Sequence, residues 1–305
     1  MLNKPMDILE QFPIRKTGQQ KLAFREAVVA YAREKGYAVT VEAGKRGVNN
    51  IVIGDPEKAK YLVTAHYDTP GNIGIPNFCV PCNLLLSRLM FFVSMCLGAG
   101  LSAGTMLLFM EKRYLPAAVL ALALVGLFLL LQLAPANRNN ANDNTSGVVT
   151  VLEIMTTIPE NLRDRVCFVL FDLEEQGKKG SNAYRKAHQA ATETQIVLNL
   201  DCVGDGDHLL LMPEKTARQD EALLQRLTRL EDTYGSKHIR VIARGYCRYE
   251  SDHRNFPYGV GIAAFHKNRK LYLLGKIHTK RDTVLEYTNV NLLRAALISL
   301  ISQHN

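Results

Sequence analysis

The chain has 305 residues, a net charge of +8 and an apolar fraction of 47%, values that leave room for one large folded domain and an appendage. Its Lys and Arg residues are dispersed and form no aromatic-rich basic stripe, so we expect no nucleic-acid partner. The first 21 residues lack the apolar core of a secretory signal, so we expect this segment to stay in the cytosol. The six cysteines are then expected to be reduced, and they do not make a disulfide scaffold.

The N-terminal part of the chain predicts a helix followed by three strands. Amphipathic periodicity predicts a helix over residues 19–35, which Gly36 ends. Strands are predicted at residues 37–41, 50–54 and 61–67. The last strand carries His66 and Asp68 at its end, and their i, i+2 spacing places both side chains on one face. This arrangement suits a histidine metal ligand with a carboxylate beside it, although an HxD pair alone is more often incidental.

Residues 84–134 differ in kind from the rest of the chain. Two nearly uninterrupted apolar runs, residues 89–110 and 116–134, are separated by a short polar tip. At a rise of about 1.5 Å per residue, each run reaches or nearly reaches across a hydrocarbon core of about 30 Å. Gly100 and Gly104 have GxxxG spacing, which permits close helix approach. We predict a transmembrane helical hairpin, and a helical hairpin buried in a soluble core or a dimer interface is the alternative.

A hairpin returns the chain to the side it left, so the two flanking halves must share a compartment. Flanking positive charge does not set the orientation, because Arg88 and Arg138 outside the hairpin balance Lys112 and Arg113 in its tip. Export of an unsignalled N-terminal segment is the harder alternative, so we hypothesise an integral membrane protein whose folded part faces the cytosol. Through residues 84–134 the chain would contact membrane lipid. The hairpin could anchor the chain, pair protomers into a homo-oligomer, or cover a site.

The remaining sequence alternates strands and helices. Helices are predicted at residues 148–158, near 182–191, at 216–234 and at 289–301; strands are predicted at residues 166–171, 195–200, 208–212, 238–243 and near 261–265. This alternation is typical of an α/β fold, here a three-layer sandwich with a mixed, largely parallel central sheet. Residues 1–83 and 135–305 would form one discontinuous domain, and residues 84–134 would be an inserted hairpin.

The stretch from Cys167 to Ser181 organises this domain. A buried strand runs into a polar turn that carries Glu174 and Glu175, and ligands in open α/β sheets bind at the carboxyl ends of strands. Adjacent side chains in extended backbone point to opposite sides, so one glutamate could bind a metal while the other acts as a general base. The alternative is a solvated acidic turn, which only partners elsewhere in the chain can exclude.

Three further candidates lie at strand ends or in loops of the same pattern. Asp143 precedes a helix, where a capping role is the usual explanation, Asp201 ends the strand at 195–200, and His278 lies in a loop. With both glutamates and His66 they supply what a two-metal hydrolase requires, namely a shared carboxylate, a histidine and a carboxylate for each metal, and a base. Nitrogen and oxygen donors of this kind favour zinc over magnesium, although cobalt or manganese could substitute.

Six sequence blocks in fixed order resemble the signature of a known family. AHYD, DNTSGV, FDLEEQGKKGS, NLD, SDHRNF and IHTKRDT look like the motifs of co-catalytic zinc exopeptidases related to bacterial leucyl aminopeptidase and aminopeptidase Y. The resemblance extends from about residue 19 to the C-terminus and is interrupted by the apolar hairpin. His66 and Asp143 are 77 residues apart, and removal of the 51-residue hairpin leaves 26, a plausible loop.

The resemblance implies a role for each candidate residue. Asp143 would bridge two zinc ions; Glu175 and His278 would bind one of them, and His66 and Asp201 the other. Glu174 would be the general base that takes a proton from water and returns it to the leaving amine. Asp68 would support the His66 region. The implied activity is hydrolysis of the N-terminal residue of a peptide substrate, that is, an aminopeptidase, with side-chain preference left open.

Three alternatives remain open at this point. Glutaminyl cyclases resemble the same fold and ligand set, but use one zinc and cyclise their substrate. Some relatives have lost their metal ligands and are non-catalytic receptors or scaffolds, although here all six metal and base positions are filled. A third alternative is a membrane protein whose soluble part only regulates the hairpin. Cys79 and Cys82 form a CxxC pair that indicates a local loop feature more than a redox or metal site.

Overall fold

One mixed sheet forms the centre of the fold. The structure is a computed structural model that describes residues 2–72 and 79–303, with the helical backbone alone described at residue 94 and residues 128–133. Ten strands of the described part join in the sheet: β1 Val39–Ala43, β2 Asn49–Ile53, β3 Tyr61–His66, β4 Val166–Phe171, β5 Ile196–Leu200, β6 His208–Pro213, β7 Asp232–Tyr234, β8 Lys237–Val241, β9 Gly259–Asn268 and β10 Leu271–Leu273. Their order is β1-β2-β4-β3-β5-β9-β6-β8-β7, and β10 pairs with β9.

The strands at the centre of the sheet run parallel, and the pairings toward its margins are antiparallel except for the parallel pair β6 and β8. β4, β3, β5 and β9 form a parallel group, whereas β2 pairs with β4 and β6 pairs with β9 in antiparallel fashion. Parallel strands are buried on both faces, which explains their continuous apolar sequences. The predicted mixed sheet is confirmed, but it is less parallel than predicted, because among the described strands four pairings are parallel and five are antiparallel.

Helices connect the strands and cover the sheet. They are α1 Ile8–Gln11, α2 Gly18–Glu34, α3 Leu84–Met110, α4 Tyr114–Leu133, α5 Gly147–Thr157, α6 Lys179–Ala187, α7 Gln189–Thr192, α8 Lys215–Gln219, α9 Glu221–Thr228 and α10 Tyr287–Ser302. The predicted helix at residues 19–35 is α2. Thr17 and Gln20 cap its N-terminus reciprocally, and Gly36 follows its end with φ +85°, a conformation that glycine adopts without strain.

Alternate residues of each central strand enter two different cores. In β4, Phe168 and Leu170 pack in the larger core with α2, α5 and α10, whereas Cys167, Val169 and Phe171 pack in the smaller core beside α6. Successive side chains of a strand point to opposite faces, so these cores lie on the two sides of the sheet. Helices therefore cover both faces, which gives three layers.

The prediction of one helix over residues 216–234 is wrong. Asp220 interrupts the helix, because its side chain accepts a hydrogen bond from the Leu223 amide and begins α9. Residues 232–234 form β7, which pairs with β8 across a turn that contains Gly235 at φ +58°. Here strand pairing at the sheet edge overrides local helical periodicity. The short strand β10 was not predicted.

The apolar segment forms two antiparallel helices, α3 and α4. Phe109 and Tyr114 contact each other edge-on at the turn, with ring centroids 5.4 Å apart. A methyl group at Gly104 would lie 3.6 Å from Leu120, whereas one at Gly100 would meet nothing within 4 Å. Among the described residues, α3 is the one helix long and apolar enough to cross a membrane. The most apolar stretch of α3 is not buried by the rest of the chain. The side chains of residues 128–133, part of the predicted run 116–134, lie outside the described residues.

The two ends of this segment meet at the folded part of the chain. The Asn72 amide donates to the Pro135 carbonyl at 2.8 Å, and the Asn137 amide donates to the Pro70 carbonyl at 2.9 Å. Gly71 and Ala136 form a bridge between these bonds. The chain thus returns to the place it left, the geometry that an inserted hairpin requires. The division into residues 84–134 and the rest stays a prediction.

Candidate metal centre and active site

Strand register brings the predicted residues of three segments to one edge of the sheet. β4, β3 and β5 are parallel neighbours, so their carboxyl ends lie side by side. His66 at the end of β3 pairs with Phe171 at the end of β4, and Thr64 pairs with Asn199, which places Asp201 level with His66. Glu174 and Glu175 follow β4 directly. The candidate polar side chains therefore lie together at the carboxyl ends of the parallel strands, the edge at which ligands bind in open α/β sheets.

Asp143 lies between the two histidines. Its Oδ1 is 3.3 Å from His66 Nε2, and its Oδ2 is 3.0 Å from His278 Nε2. His66 Nε2 is also 3.7 Å from Asp201 Oδ1, and His278 Nε2 is 3.6 Å from Glu175 Oε1. The structure thus brings together every residue that the sequence nominated as a metal ligand, in two triplets that share Asp143.

Asp68 holds the turn that carries the two glutamates. Its Oδ1 accepts the Glu174 amide at 3.0 Å and its Oδ2 accepts the Glu175 amide at 3.2 Å. Leu173, just before them, has φ +56°, a left-handed conformation that costs energy in a residue with a branched side chain. The glutamates therefore lie in a constrained turn, not in the extended backbone that we predicted. Asp68 Oδ1 is also 3.4 Å from His66 Nδ1, so it contacts both segments.

The loop that carries Asp143 is anchored on every side by polar contacts. Asp282 accepts the amides of Asn142 at 2.7 Å and of Asp143 at 3.0 Å. The Asn144 side chain donates to the Leu200 carbonyl at 3.0 Å and accepts the Gly147 amide at 3.0 Å, which ties the loop to the end of β5 and the start of α5. The Asp143–Asn144 peptide is cis. Asp143 is 3% exposed, so these contacts fix a buried carboxylate.

Burial and mutual repulsion dominate the electrostatics of the cluster. Burial raises the pKa of Glu174 and of Glu175 well above the usual range, and neighbouring carboxylates add to the effect. Burial also acts to raise the pKa of Asp143, but His278 and His66 lower it by more, so the net pKa lies below the usual range. Desolvation lowers the pKa of His66, yet Asp143, Asp201 and Asp68 raise it to a net value well above normal.

The residues of the cluster fit zinc. Three groups, His66 with Glu174 and Glu175, His66 with Asp143 and Asp201, and Asp143 with Glu175 and His278, each have ligand atoms within 4.8 Å of one another. Four carboxylates in so small a volume require compensating positive charge, and two of them, Asp143 and Asp201, lie 3.3 and 3.7 Å from His66 Nε2. Imidazole nitrogen and carboxylate oxygen are zinc donors. His66, Asp143, Asp201, Glu175 and His278 would hold the metal.

Several residues at this edge were not predicted. Arg15 is fully buried, and it donates to the Tyr67 carbonyl at 2.6 Å and to Thr145 Oγ1 at 3.0 Å. Burial lowers its pKa to about 10 despite the nearby Asp68 and Asp143. Asp252 is buried beside Ser181, and burial raises its pKa to about 7. The SDHRNF and IHTKRDT blocks contain Asp252 and Asp282, so these two were within reach of motif reading, whereas Arg15 precedes every block.

The cluster forms the floor of a cavity of about 760 Å³. Its walls are formed mainly by residues 79–91, where α3 begins, and by residues 246–250. The wall residues are Cys79, Val80, Leu84, Ser87, Arg88, Met90, Phe91, Cys202, Tyr246, Arg248, Tyr249, Glu250 and Ile277. A volume of this size accommodates a small peptide. A cation-binding acidic floor under an open cavity can bind a metal, a water molecule and an amine-bearing substrate together.

The α/β fold and this carboxylate–histidine edge define a metal-dependent hydrolase of the zinc exopeptidase kind. The chain belongs to Peptidase family M28, whose model matches residues 130–300. The family-level resemblance seen in the motifs is confirmed, whereas the closer relation to leucyl aminopeptidase and aminopeptidase Y stays a prediction. No curated protein matches the sequence.

Solved structures share the fold at low sequence identity. A glutaminyl cyclase of Porphyromonas gingivalis is 16% identical with a TM-score of 0.63, and the match covers 97% of this chain and 95% of that one. A Zn-dependent exopeptidase of Parabacteroides distasonis is 14% identical with a TM-score of 0.60, covering 98% and 97%. The LapA aminopeptidase of Legionella pneumophila is 15% identical with a TM-score of 0.58, covering 98% and 70%. These likenesses establish the fold alone.

Proposed function

We propose that the chain is an aminopeptidase that hydrolyses the N-terminal residue of peptides with two zinc ions. The position of Asp143 carries the proposal, because each of its oxygens faces a different histidine and each histidine has a second carboxylate within 3.7 Å. One shared carboxylate between two complete ligand triplets is what two adjacent metals require. A site with two metals favours hydrolysis by water over cyclisation at a single zinc.

The reaction follows from the chain's own residues. Zinc bound by these ligands would lower the pKa of water and polarise the scissile carbonyl. The acidic floor attracts the substrate's α-amino group and so restricts cleavage to the first peptide bond. The carboxylate of Glu174 accepts a proton from the attacking water and passes it to the leaving nitrogen. Asp68 keeps Glu174 aimed by holding its backbone amide.

Glutaminyl cyclisation is the second candidate. It is favoured by the fold likeness to several bacterial glutaminyl cyclases at 14% to 18% identity, and it would use one zinc. A cyclase transfers the acyl group to the substrate's own amine and needs no external water. The number of bound zinc ions separates the candidates, because two zinc ions need both ligand triplets and one zinc needs only one of them.

The hairpin proposal accompanies this function. α3 is long enough to span a membrane and its apolar side chains are exposed, with Leu97 at 64% and Phe109 at 63%. Exposed apolar surface of this extent requires lipid or protein to cover it. We assign residues 84–134 to the membrane, with the catalytic part on the cytosolic side. Pairing of hairpins between protomers is compatible with the open small-residue surface at Gly98 and Gly100.

The test uses the full chain purified in detergent. Zinc content would be measured together with hydrolysis of a panel of aminoacyl amides, and with cyclisation of a peptide that begins with glutamine. We expect about two zinc per chain, hydrolysis across part of the panel, loss of activity on chelation and its return with zinc. One zinc per chain with cyclisation of the glutamine peptide would establish the second candidate instead.

Glu174→Gln isolates the general base. We expect this variant to keep its zinc and to lose about three orders of magnitude in kcat, because general-base catalysis typically contributes 10² to 10⁴. Glu160→Gln is the matched control, since Glu160 is exposed and precedes β4, at the opposite end of the strand from Glu174. Wild-type turnover in Glu174→Gln would remove this residue from the proposed role.

A further inference from the structure

The cavity has two chemically different sides. Its floor is the acidic metal cluster, and its outer wall is formed by the first two turns of the apolar helix α3, with Leu84, Ser87, Arg88, Met90 and Phe91. Leu84, Ser87, Arg88 and Phe91 follow i, i+3, i+4 and i+7 spacing, so they lie on one face of the helix. The same helix that is proposed to enter the membrane therefore presents one face to the active site.

Contacts at the root of α3 fix this wall against the catalytic part of the chain. Cys79 pairs with Leu274 through two backbone hydrogen bonds of 2.8 and 3.1 Å, and the Arg248 amide donates to the Pro81 carbonyl at 2.9 Å. Cys82 Sγ lies 2.6 Å from Cys247 Sγ. The Asn83 side chain caps the helix by accepting the Leu86 amide at 2.8 Å. The helix thus starts from a docked segment, and its first turns have a defined position beside the cavity.

The dimensions of the wall match a short extended peptide. Residues 84 to 91 span about 10 Å along the helix at a rise of 1.5 Å per residue. An extended peptide covers that distance with about three residues at 3.3 Å each. A substrate whose amine is held at the acidic floor would therefore lay its second to fourth residues along α3.

We infer that this site takes peptides with apolar residues at positions two to four, for which α3 supplies the binding surface. The inference rests on the proposed function and names its substrate class. Met90 is 41% exposed and Phe91 is 67% exposed, and both line the cavity, so a peptide bound there would bury apolar surface that the rest of the chain leaves uncovered. Arg88 is exposed on the same face and forms no ion pair with any residue in the described ranges, so its charge opposes a basic side chain at these positions.

Substrates that differ only beyond the first residue test this inference. The full chain in a non-ionic detergent would be given leucinamide and three tetrapeptide amides that begin with Leu and carry Phe-Leu, Ser-Ser or Lys-Lys at positions two and three. We expect kcat/KM to rise in the order Lys-Lys, Ser-Ser, Phe-Leu, with about tenfold between the last two, as burial of an aromatic side chain provides. Equal values for the three tetrapeptides would overturn the inference.

Adjacent phenylalanines supply a matched pair of variants. Phe91 and Phe92 are 67% and 64% exposed, but only Phe91 is among the residues that line the cavity. We expect Phe91→Ala to lower the ratio of kcat/KM for the Phe-Leu peptide over the Ser-Ser peptide by about tenfold, and Phe92→Ala to leave it within about twofold. Both variants keep an apolar helix, so a change in membrane insertion affects them alike.

The outcomes separate this inference from the function on which it rests. Hydrolysis of leucinamide together with an unchanged peptide ratio in Phe91→Ala would overturn the α3 subsite and leave the aminopeptidase intact. A lower ratio in Phe91→Ala and in Phe92→Ala alike would also overturn it, because the effect would then come from the helix as a whole. No hydrolysis of any substrate by the zinc-loaded wild type would overturn both.

Discussion

The two halves of the metal cluster are built in different ways. The inner half-site, His66 and Asp201, has side chains that are 1% and 7% exposed, whereas those of the outer half-site, His278 and Glu175, are 24% and 17% exposed. Asp143 belongs to both. The inner residues end the neighbouring parallel strands β3 and β5, so sheet register fixes them. The outer residues lie in turns, and His278 has φ +59°.

This difference indicates a division of labour between the half-sites. A ligand at a strand end is held by the hydrogen bonds of the sheet and is shielded from water, so the inner half-site favours tight and slowly exchanging metal. A ligand in a turn is more accessible and faces the cavity where substrate enters. The outer half-site is therefore the side on which we expect substrate to meet metal.

Removal of either histidine should halve the zinc content, and we expect this change to have the largest effect on turnover. We expect His66→Ala and His278→Ala each to retain about one zinc and to lose about 10³-fold in turnover, since a catalytic metal supplies several kcal/mol of transition-state stabilisation. During dialysis against a chelator, the zinc that remains in His278→Ala should leave more slowly than the one that remains in His66→Ala. Metal analysis by mass spectrometry over time measures both rates.

His238→Ala provides the control for these variants, because His238 lies on β8 away from the cluster and should keep both metals. Equal exchange rates in the two variants would mean that burial does not distinguish the half-sites. One zinc in the wild type that His66→Ala leaves in place would show that the inner half-site is not used and would contradict the two-zinc proposal.

Asp68→Asn should have a smaller effect, on the turn and not on the metals. Asp68 accepts two amides with its two oxygens, and an asparagine would turn an NH₂ group toward one of these donors. We expect a decrease of about 10- to 100-fold in kcat, the usual cost of losing a partner that orients a site, with KM and zinc content nearly unchanged. Steady-state kinetics and metal analysis on the same preparation measure this split.

Asp55→Asn is a matched control for that variant. Asp55 accepts the amides of Glu57 at 3.0 Å and Lys58 at 3.2 Å, both on Oδ1, in an exposed turn, so like Asp68 it holds two successive backbone amides, but away from the cavity. We expect this variant to keep wild-type kcat. A decrease in kcat and zinc content together in Asp68→Asn would mean that Asp68 supports the metal ligands themselves.

The inner half-site was the part most accessible to prediction from sequence. His66 and Asp201 end apolar runs whose length and β-branched composition define strands, and parallel strands place their ends together without any knowledge of loops. Glu174 and Glu175 followed from the same logic, although they proved to lie in a turn that begins at the left-handed residue Leu173, which no local pattern indicated. The positions were predictable because each depended on one strand and its neighbour.

The parts that escaped prediction depend on contacts between distant segments. Arg15 meets Thr145 and Asn140 across more than 120 residues, and the clamp of Asp282 on the Asp143 loop spans 139 residues. Periodicity carries no information about such pairs. β7 was misread as helix for the same reason, since its partner β8 and not its own sequence determines its conformation. The wall formed by α3 likewise required knowledge of where the hairpin returns.

His188 reproduces the chemistry of the inner half-site far from the cavity and should affect stability alone. It lies 2.9 Å from Glu42 on β1 and 2.6 Å from Glu57, with the Tyr184 ring beside it. Burial lowers the pKa of His188, but Glu57 and Glu42 raise it by more, so the net pKa is above 6.5. The protonated form therefore stabilises the fold fully below about pH 6.5, the unfolded value, and this contribution disappears as pH rises through the raised pKa.

We expect the Tm of the wild type to exceed that of His188→Gln by at most about 3 °C near pH 5.5, because partly exposed ion pairs contribute only about 0–1 kcal/mol. We expect this difference in Tm to shrink toward about pH 9. A Tm difference that grows with pH would mean that neutral, not protonated, His188 stabilises the fold. A loss of zinc in His188→Gln would mean that His188 supports the metal centre although it lies away from the cavity.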